Sequence, residues 1–163
     1  MIVRPALPAD LPGILAIYNY AVLNLTATAD YEEQTLEIRT LWYEDRISKG
    51  FAVLVAEEAG EIVGWGALNP YHTRIGYRFT AENSVYVAQA HLRKGVGKAI
   101  LRRLIEAGKA QGLHTILAVI DADNEASIAL HAAFGFEQAG FYKQTFTKFD
   151  RWLNVVVMQL MLK

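Results

Sequence analysis

Apolar positions recur along this chain in two alternating rhythms. Ile2 to Arg4 is a short apolar run of strand length. Behind Asp10, a residue type that favours helix starts, Leu11, Ile14, Leu15, Ile17, Tyr18 and Val22 fall at helical spacing. Thr35 opens a second helical pattern through Leu36, Ile38, Leu41, Trp42 and Ile47, and Gly50 stands where a glycine commonly closes a helix. Residues 51–56 and 62–68 are continuous apolar runs, and Glu58-Ala59-Gly60-Glu61 between them reads as a hairpin turn. A polar stretch from Pro70 to Ala81 leads to the strand pattern Ser84-Val85-Tyr86-Val87. Val96, Ile100, Leu101, Leu104, Ile105 and Gly108 then mark one face of a helix, with Lys98, Arg102, Arg103, Glu106 and Lys109 on the other. Residues 115–120 form a buried strand pattern. Asn124 to Phe134 is helical, Gly135 closes it, and Phe136 is placed to pack back on Leu130. Two final strands are expected over roughly 137–146 and 153–162.

The order is therefore β-α-α-β-β-β-α-β-α-β-β. Hairpins and helical crossovers both occur, so the expected class is α/β, a mixed sheet of about seven strands flanked by four helices. Its 163 residues suit a single domain spanning 1–163, with no linker or repeat to divide it. The longest apolar runs are of strand length, well below the ~20 residues that span a bilayer. No secretory leader pattern is visible, so a cytoplasmic protein without a membrane partner is expected. The net charge of -1 gives no general grip on nucleic acid. Cysteine is absent, which excludes disulfides, thiolate metal sites and a cysteine nucleophile. The histidines His72, His91 and His114 show no metal-ligand spacing, and no metal is expected.

The most informative segment runs from Val85 to Lys98. A strand enters the basic turn Arg93-Lys94-Gly95-Val96-Gly97-Lys98, which opens an amphipathic helix. Glycines let a backbone approach a ligand closely. The helix start offers unpaired amides and a positive dipole end, and the cations add full charge. That is a physical recipe for a pyrophosphate site, although two glycines also serve a plain tight turn. Two commoner phosphate motifs fail. A P-loop needs glycine where Leu92 stands, and Ser or Thr where Ala99 stands. A dinucleotide fingerprint needs a small residue at Ile100 and begins directly off its strand.

Leu92-Arg93-Lys94-Gly95-Val96-Gly97 resembles the acetyl-CoA pyrophosphate loop of the GNAT superfamily of N-acetyltransferases. The usual first residue is Gln or Arg. Leu92 removes one polar side chain but keeps the amides, so cofactor binding is expected to be weakened, not lost. The block Asn124-x-x-Ser127-x-x-x-His131-x-x-x-Gly135-Phe136 is similar to the superfamily's Asn-led helix, and the element order is the superfamily's own. More narrowly, residues 80–87 (TAENSVYV), residues 148–153 (KFDRWL) and Ile17-Tyr18-Asn19 look like the phosphinothricin and methionine sulfone/sulfoximine acetyltransferases.

The resemblance implies an acetyl-CoA-dependent transfer to the amino group of a small amino-acid-like substrate, with the chain as a homodimer. It implies Glu82 as general base, at the start of the strand that leads to the glycine loop; the plain alternative is a solvated edge glutamate. A base tuned toward neutrality suits the task, because amines are largely protonated there. Val85, Tyr86 and Val87 would offer backbone groups to the pantetheine. Asn124 would bond the pantetheine amides or cap its helix. His131 stands where many members carry a proton-donating tyrosine, and a buried structural histidine is the alternative. Arg74 and Arg78 are candidates to clamp a substrate carboxylate, or are solvated loop charges. With no thiol to carry an acetyl group, direct attack by the amine in a ternary complex is expected. The competing readings are a protein N-terminal acetyltransferase, a non-catalytic CoA sensor and an α/β interaction domain.

Overall fold

The computed structural model describes residues Met1–Lys163. Seven strands form one sheet: β1 (Ile2–Pro5), β2 (Val53–Glu58), β3 (Glu61–Pro70), β4 (Thr80–Val87), β5 (Thr115–Asp121), β6 (Glu137–Lys148) and β7 (Arg151–Met161). Their spatial order is β1-β2-β3-β4-β5-β7-β6. Four helices cover it: α1 (Leu11–Asn24), α2 (Leu36–Ser48), α3 (Val96–Ala110) and α4 (Glu125–Ala132). All neighbouring strands are antiparallel except β4 and β5. Those two are parallel because α3 carries the chain back to the same end of the sheet. The expected α/β architecture and its element count are both present.

Local chemistry sets the element ends. The Thr35 hydroxyl accepts from the Ile38 amide at 3.2 Å and caps α2. Ala59 (φ 51°) and Gly60 (φ 83°) make the two-residue β2–β3 turn, whose backbone matches the twist of a hairpin. Gly135 (φ 87°) closes α4, and the buried Phe136 follows it. The Phe136 and His131 rings stand nearly perpendicular, at 5.0 Å between centroids. Asp10 departs from the simple cap expected of it. Its carboxylate accepts from the Leu7 amide at 2.7 Å and from Arg4 Nη1 at 2.7 Å, so it ties the chain before α1 to β1. The Arg4 guanidinium holds the Asp10 carboxyl below its ordinary pKa.

Each face of the sheet has its own core. On one, α3 buries Val96, Ile100, Leu101 and Leu104. Gly64 and Gly66 on β3 let it approach: a Cβ on Gly66 would stand 2.6 Å from Ile100 Cγ2 and 2.8 Å from the Ser84 carbonyl oxygen. On the other face, α1 packs Leu11, Ile14, Tyr18 and Val22 around the buried Trp65.

The inward face of α2 differs from its apolar pattern. Leu36, Ile38, Leu41 and Ile47 are exposed, and the buried residue is Arg39. Its guanidinium lies 4.0 Å from the Tyr18 ring centroid and 4.5 Å from that of Trp42. Aromatic faces attract the cation, so the helix turns Arg39 inward and leaves aliphatic side chains in water. The second difference is at β4, which begins at Thr80, four residues earlier than its apolar run. Thr80, Ala81 and Glu82 form the only rungs between β4 and β5.

Candidate active site

Those three rungs create the site. The pairs are Thr80–Thr115, Ala81–Ile116 and Glu82–Leu117. Beyond them β4 continues to Val87 against β3, and β5 continues to Asp121 against β7. The two strands diverge, and a notch opens in the middle of the sheet. The β5-facing edge of β4 from Asn83 to Val87 has no strand partner. An extended ligand with amide groups can bond to such an edge as an added strand.

At the mouth of the notch, β4 leads through a short 3-10 turn (Gln89–His91) to the glycine loop. Arg93 (φ 60°) and Gly95 (φ 81°) are both left-handed, which turns the chain sharply into α3. No side chain caps this helix, so the leading amides of α3 have no intrahelical acceptor. Gly97 is packed on the β4 side: a Cβ there would lie 3.3 Å from Leu130 Cδ2 and 3.7 Å from Val87 Cγ2. Arg93, Lys94 and Lys98 are exposed around the loop. Free amides, a positive helix end and three cations suit a pyrophosphate. Leu92 points to solvent, 47% exposed.

Glu82 occupies the last rung, at the apex of the notch. Alternation along β4 puts Glu82, Ser84 and Tyr86 on the α1/α2 face and Asn83, Val85 and Val87 on the other. The Glu82 side chain is half-buried, and burial alone raises its pKa above the ordinary carboxylate value. A carboxylate raised in this way is a better proton acceptor near neutrality. The adjacent Tyr86 stacks on Trp65, with centroids 4.8 Å apart, and burial pushes its phenol pKa upward.

The matching family pattern is described as the Acetyltransferase (GNAT) family, and it covers residues 16–136. The chain belongs to the GNAT acetyltransferase family. It is 45% identical over 159 residues to an L-methionine sulfoximine/L-methionine sulfone acetyltransferase of Pseudomonas aeruginosa, covering 97% of this chain and 92% of that protein. It is 39% identical over 161 residues to a phosphinothricin N-acetyltransferase of Alcaligenes faecalis, covering 96% and 80%. Among solved structures, an acetyltransferase from Salmonella typhimurium, determined with its cofactor acetyl-CoA, superposes with a TM-score of 0.99. That pair is 40% identical and covers 100% of this chain and 94% of the other.

The GNAT fold thus accounts for the notch, the glycine loop and the free β4 edge together. Asn124 both caps and remains available. Its Oδ1 accepts from the Ser127 amide at 3.1 Å, which leaves its NH₂ group for a ligand. His131 is placed differently from a free proton donor. It is 3% exposed, and both ring nitrogens are engaged. Nδ1 lies 2.8 Å from the Ser127 carbonyl oxygen, which can only accept, so Nδ1 carries the proton. Nε2 lies 3.1 Å from the Asn83 amide and is left as an acceptor. Burial lowers the pKa of this histidine, which keeps the ring neutral. The expected role of a thiolate-protonating acid has no spare proton on this ring.

Arg74 and Arg78 are exposed on the β3–β4 connection. Arg78 Nη1 donates to the Ile75 carbonyl at 3.1 Å, and its guanidinium lies 4.4 Å from the Phe79 ring centroid. Neither arginine has an ion pair with a carboxylate of the chain. Sequence reasoning missed three residues near it. Asn83 orients His131 but reads as a polar residue beside Glu82. Arg39 and Lys148 are buried cations; no local signal marks Arg39, and Lys148 stands in the resembled block 148–153 with nothing in it to show burial. Tyr18, expected on the apolar face of the first helix, sets its hydroxyl 3.1 Å from Thr28 Oγ1 and bonds the Asp30 carboxylate.

Proposed function

We propose that this protein transfers the acetyl group of acetyl-CoA to the amino group of a small amino-acid-like substrate. Methionine sulfone, methionine sulfoximine and phosphinothricin are the leading acceptors. The observation that carries the reading is the position of Glu82. A carboxylate with a raised pKa sits at the apex of a notch whose one edge is free β4 backbone and whose mouth is a cationic helix start. The names of the two relatives support the choice of acceptors.

Acetyl-CoA supplies an acetyl thioester, activated toward amines. The chain's own residues do the rest. The amides that begin α3, with Arg93, Lys94, Gly95, Val96, Gly97 and Lys98, bind the pyrophosphate. Val85, Tyr86 and Val87 present backbone groups to the pantetheine, and the Asn124 NH₂ group bonds its amides. Glu82 takes a proton from the acceptor ammonium, which frees the nitrogen lone pair for attack on the acetyl carbon; as the N–C bond forms the C–S bond breaks, and the second proton shed by the amine nitrogen neutralises the departing CoA thiolate. His131 holds Asn83, the first β4 residue beyond the last rung, so it acts in positioning the diverging strand. Arg74 and Arg78 stand on the loop that enters β4 and are the available cations for an acceptor carboxylate.

The β6–β7 hairpin exposes Phe141, Tyr142, Phe149 and Trp152, the last at 66%. Exposed aromatics of this size favour a homodimer over a monomer. A donor found in cell metabolism fits a cytoplasmic enzyme. No helix is long and apolar enough to cross a membrane.

A thiol-release assay tests the reading over methionine sulfone, methionine sulfoximine, phosphinothricin, ordinary amino acids and a short peptide with a free N-terminus. Release with the first three above the rest is expected. Turnover of the peptide alone would move the assignment to protein N-termini. Tight acetyl-CoA binding without release from any amine would make the chain a sensor.

A further inference from the structure

Residues 26–31, between α1 and α2, cross the notch. Tyr86, four residues beyond the last rung on β4, donates its hydroxyl to the Ala27 carbonyl at 3.2 Å. Asp121, four residues beyond the last rung on β5, bonds the Thr26 hydroxyl. The segment is thus tied to both diverging strands at equal depth. Its contact to β4 is through the face that also carries Glu82. From beneath, Tyr18 of α1 holds Thr28 and Asp30.

A third tie comes from the far end of the sheet. Lys148, the last residue of β6, is fully buried at 2% exposure. Its Nζ donates to three main-chain carbonyls, those of Leu25 at 2.6 Å, Thr28 at 2.8 Å and Ala21 at 3.3 Å. An ammonium has three hydrogens, and all three are used. Lysine is almost never fully buried unless paired. Here the partners are the Ala21 and Leu25 carbonyls at the end of α1 and the Thr28 carbonyl of the crossing segment. The negative end of the helix dipole compensates the charge. Next to it, the Tyr31 hydroxyl bonds Thr147, at 2.9 Å from Oγ1.

We propose that Lys148 is a positioning residue for the acceptor amine: its ammonium holds residues 26–31 across the notch, so that this segment walls the acceptor side beside Glu82. The proposal rests on the notch being the acetyl-transfer site. A helix-end cap alone would affect stability without choosing between substrates. A wall held in place affects the amine and leaves acetyl-CoA untouched, because the donor contacts lie on the β4 edge, at α3 and at Asn124.

The test uses Lys148→Met, which keeps the length and removes the donors, and Tyr31→Phe, which removes one exposed hydroxyl. Steady-state kinetics with methionine sulfone give the amine KM, and calorimetry gives the acetyl-CoA Kd. Lys148→Met is expected to raise the amine KM about tenfold, as loss of a charged hydrogen-bonding anchor would, with the acetyl-CoA Kd changed less than about twofold. Tyr31→Phe is expected to shift the amine KM in the same direction by roughly two- to fivefold, the size of a lost neutral bond. An unchanged amine KM in both folded variants overturns the proposal, as does an equal loss of acetyl-CoA binding. If Lys148→Met does not fold, Tyr31→Phe decides, and an unchanged amine KM there overturns it. Failure of the underlying reading is distinct: the unaltered protein would then bind no acetyl-CoA, or would bind it and release no thiol with any amine, and both would fall.

Discussion

Glu82 faces Leu117 across the last rung that joins β4 to β5. One residue further along, the strands have parted. The proton acceptor therefore stands at the one point where paired sheet becomes open edge, and a register shift of a single residue would move it away. The polar start of β4, Thr80-Ala81-Glu82, exists to make these rungs.

Glu82→Gln removes the proton acceptor and keeps the shape. Turnover is expected to fall by roughly 10²- to 10⁴-fold, the usual contribution of a general base. The acetyl-CoA Kd, measured by calorimetry, is expected to stay within about twofold, since the donor contacts lie elsewhere. Activity of the unaltered enzyme should fall as pH drops through the raised Glu82 pKa, because the protonated acid cannot accept. That acidic limb should vanish in the variant's residual rate. A variant with normal turnover across pH would remove Glu82 from the chemistry.

How much of this was legible in the sequence divides by distance along the chain. The glycine loop and the Asn124-led helix are local, and each motif holds its own partners within a few residues. The face of α2 was misread because an apolar count ranks Leu41 above Arg39, whereas the three-dimensional partners of Arg39 are Tyr18, Trp42 and Trp65. Lys148 opens the resembled block 148–153, but its anchoring role was unreadable for a stronger reason. Its partners are backbone carbonyls 120 to 127 residues away, and carbonyls carry no sequence signal. The apolar pattern of β4 begins only at Ser84, and the resemblance alone set Glu82 at the strand's start, because residues 80–82 are held by rungs to β5 and not by apolar content of their own.

His131 gives a prediction about stability. Its folded pKa lies below the ordinary histidine value, because burial disfavours the charged ring. The unfolded chain therefore takes up a proton at a higher pH than the folded one. Stability is full above about pH 6.5 and is lost progressively as pH falls through that value toward the folded pKa. His131→Gln cannot titrate, so its stability should fall less between pH 7.5 and pH 5. Urea denaturation at the two pH values checks this through the difference between the proteins. Equal losses in both would refute the buried neutral ring.

Gly66→Ala tests the close approach of α3 to β3. The added carbon meets Ile100 Cγ2 at 2.6 Å, Leu104 Cδ1 at 2.9 Å and the Ser84 carbonyl oxygen at 2.8 Å. The side chains can give way, but the Ser84 carbonyl belongs to β4 and cannot move without it. A loss of about 1–3 kcal/mol is expected, as for other overpacked cores. The thermal midpoint should drop by roughly 2–4 °C for each of those kcal/mol. Because β4 carries Glu82, the amine KM should also rise, and a stability loss with unaltered kinetics would show that α3 absorbs the strain alone.

The glycine loop offers a gain instead of a loss. Leu92 stands where the GNAT pattern carries Gln or Arg, and its side chain is 47% exposed, so a longer polar residue meets no core. Leu92→Arg adds a cation beside Arg93, Lys94 and the open start of α3. An exposed ion contact contributes about 0.2–1 kcal/mol, so the acetyl-CoA Kd should fall by roughly 1.5- to 5-fold. Screening should shrink the gain as salt is raised. The amine KM should not follow, because the loop lies at the pyrophosphate end of the notch and Glu82 at the other. Calorimetry at low and high salt measures the first effect, and steady-state kinetics the second. Unchanged or weaker acetyl-CoA binding at low salt would mean that the pyrophosphate does not sit at this turn.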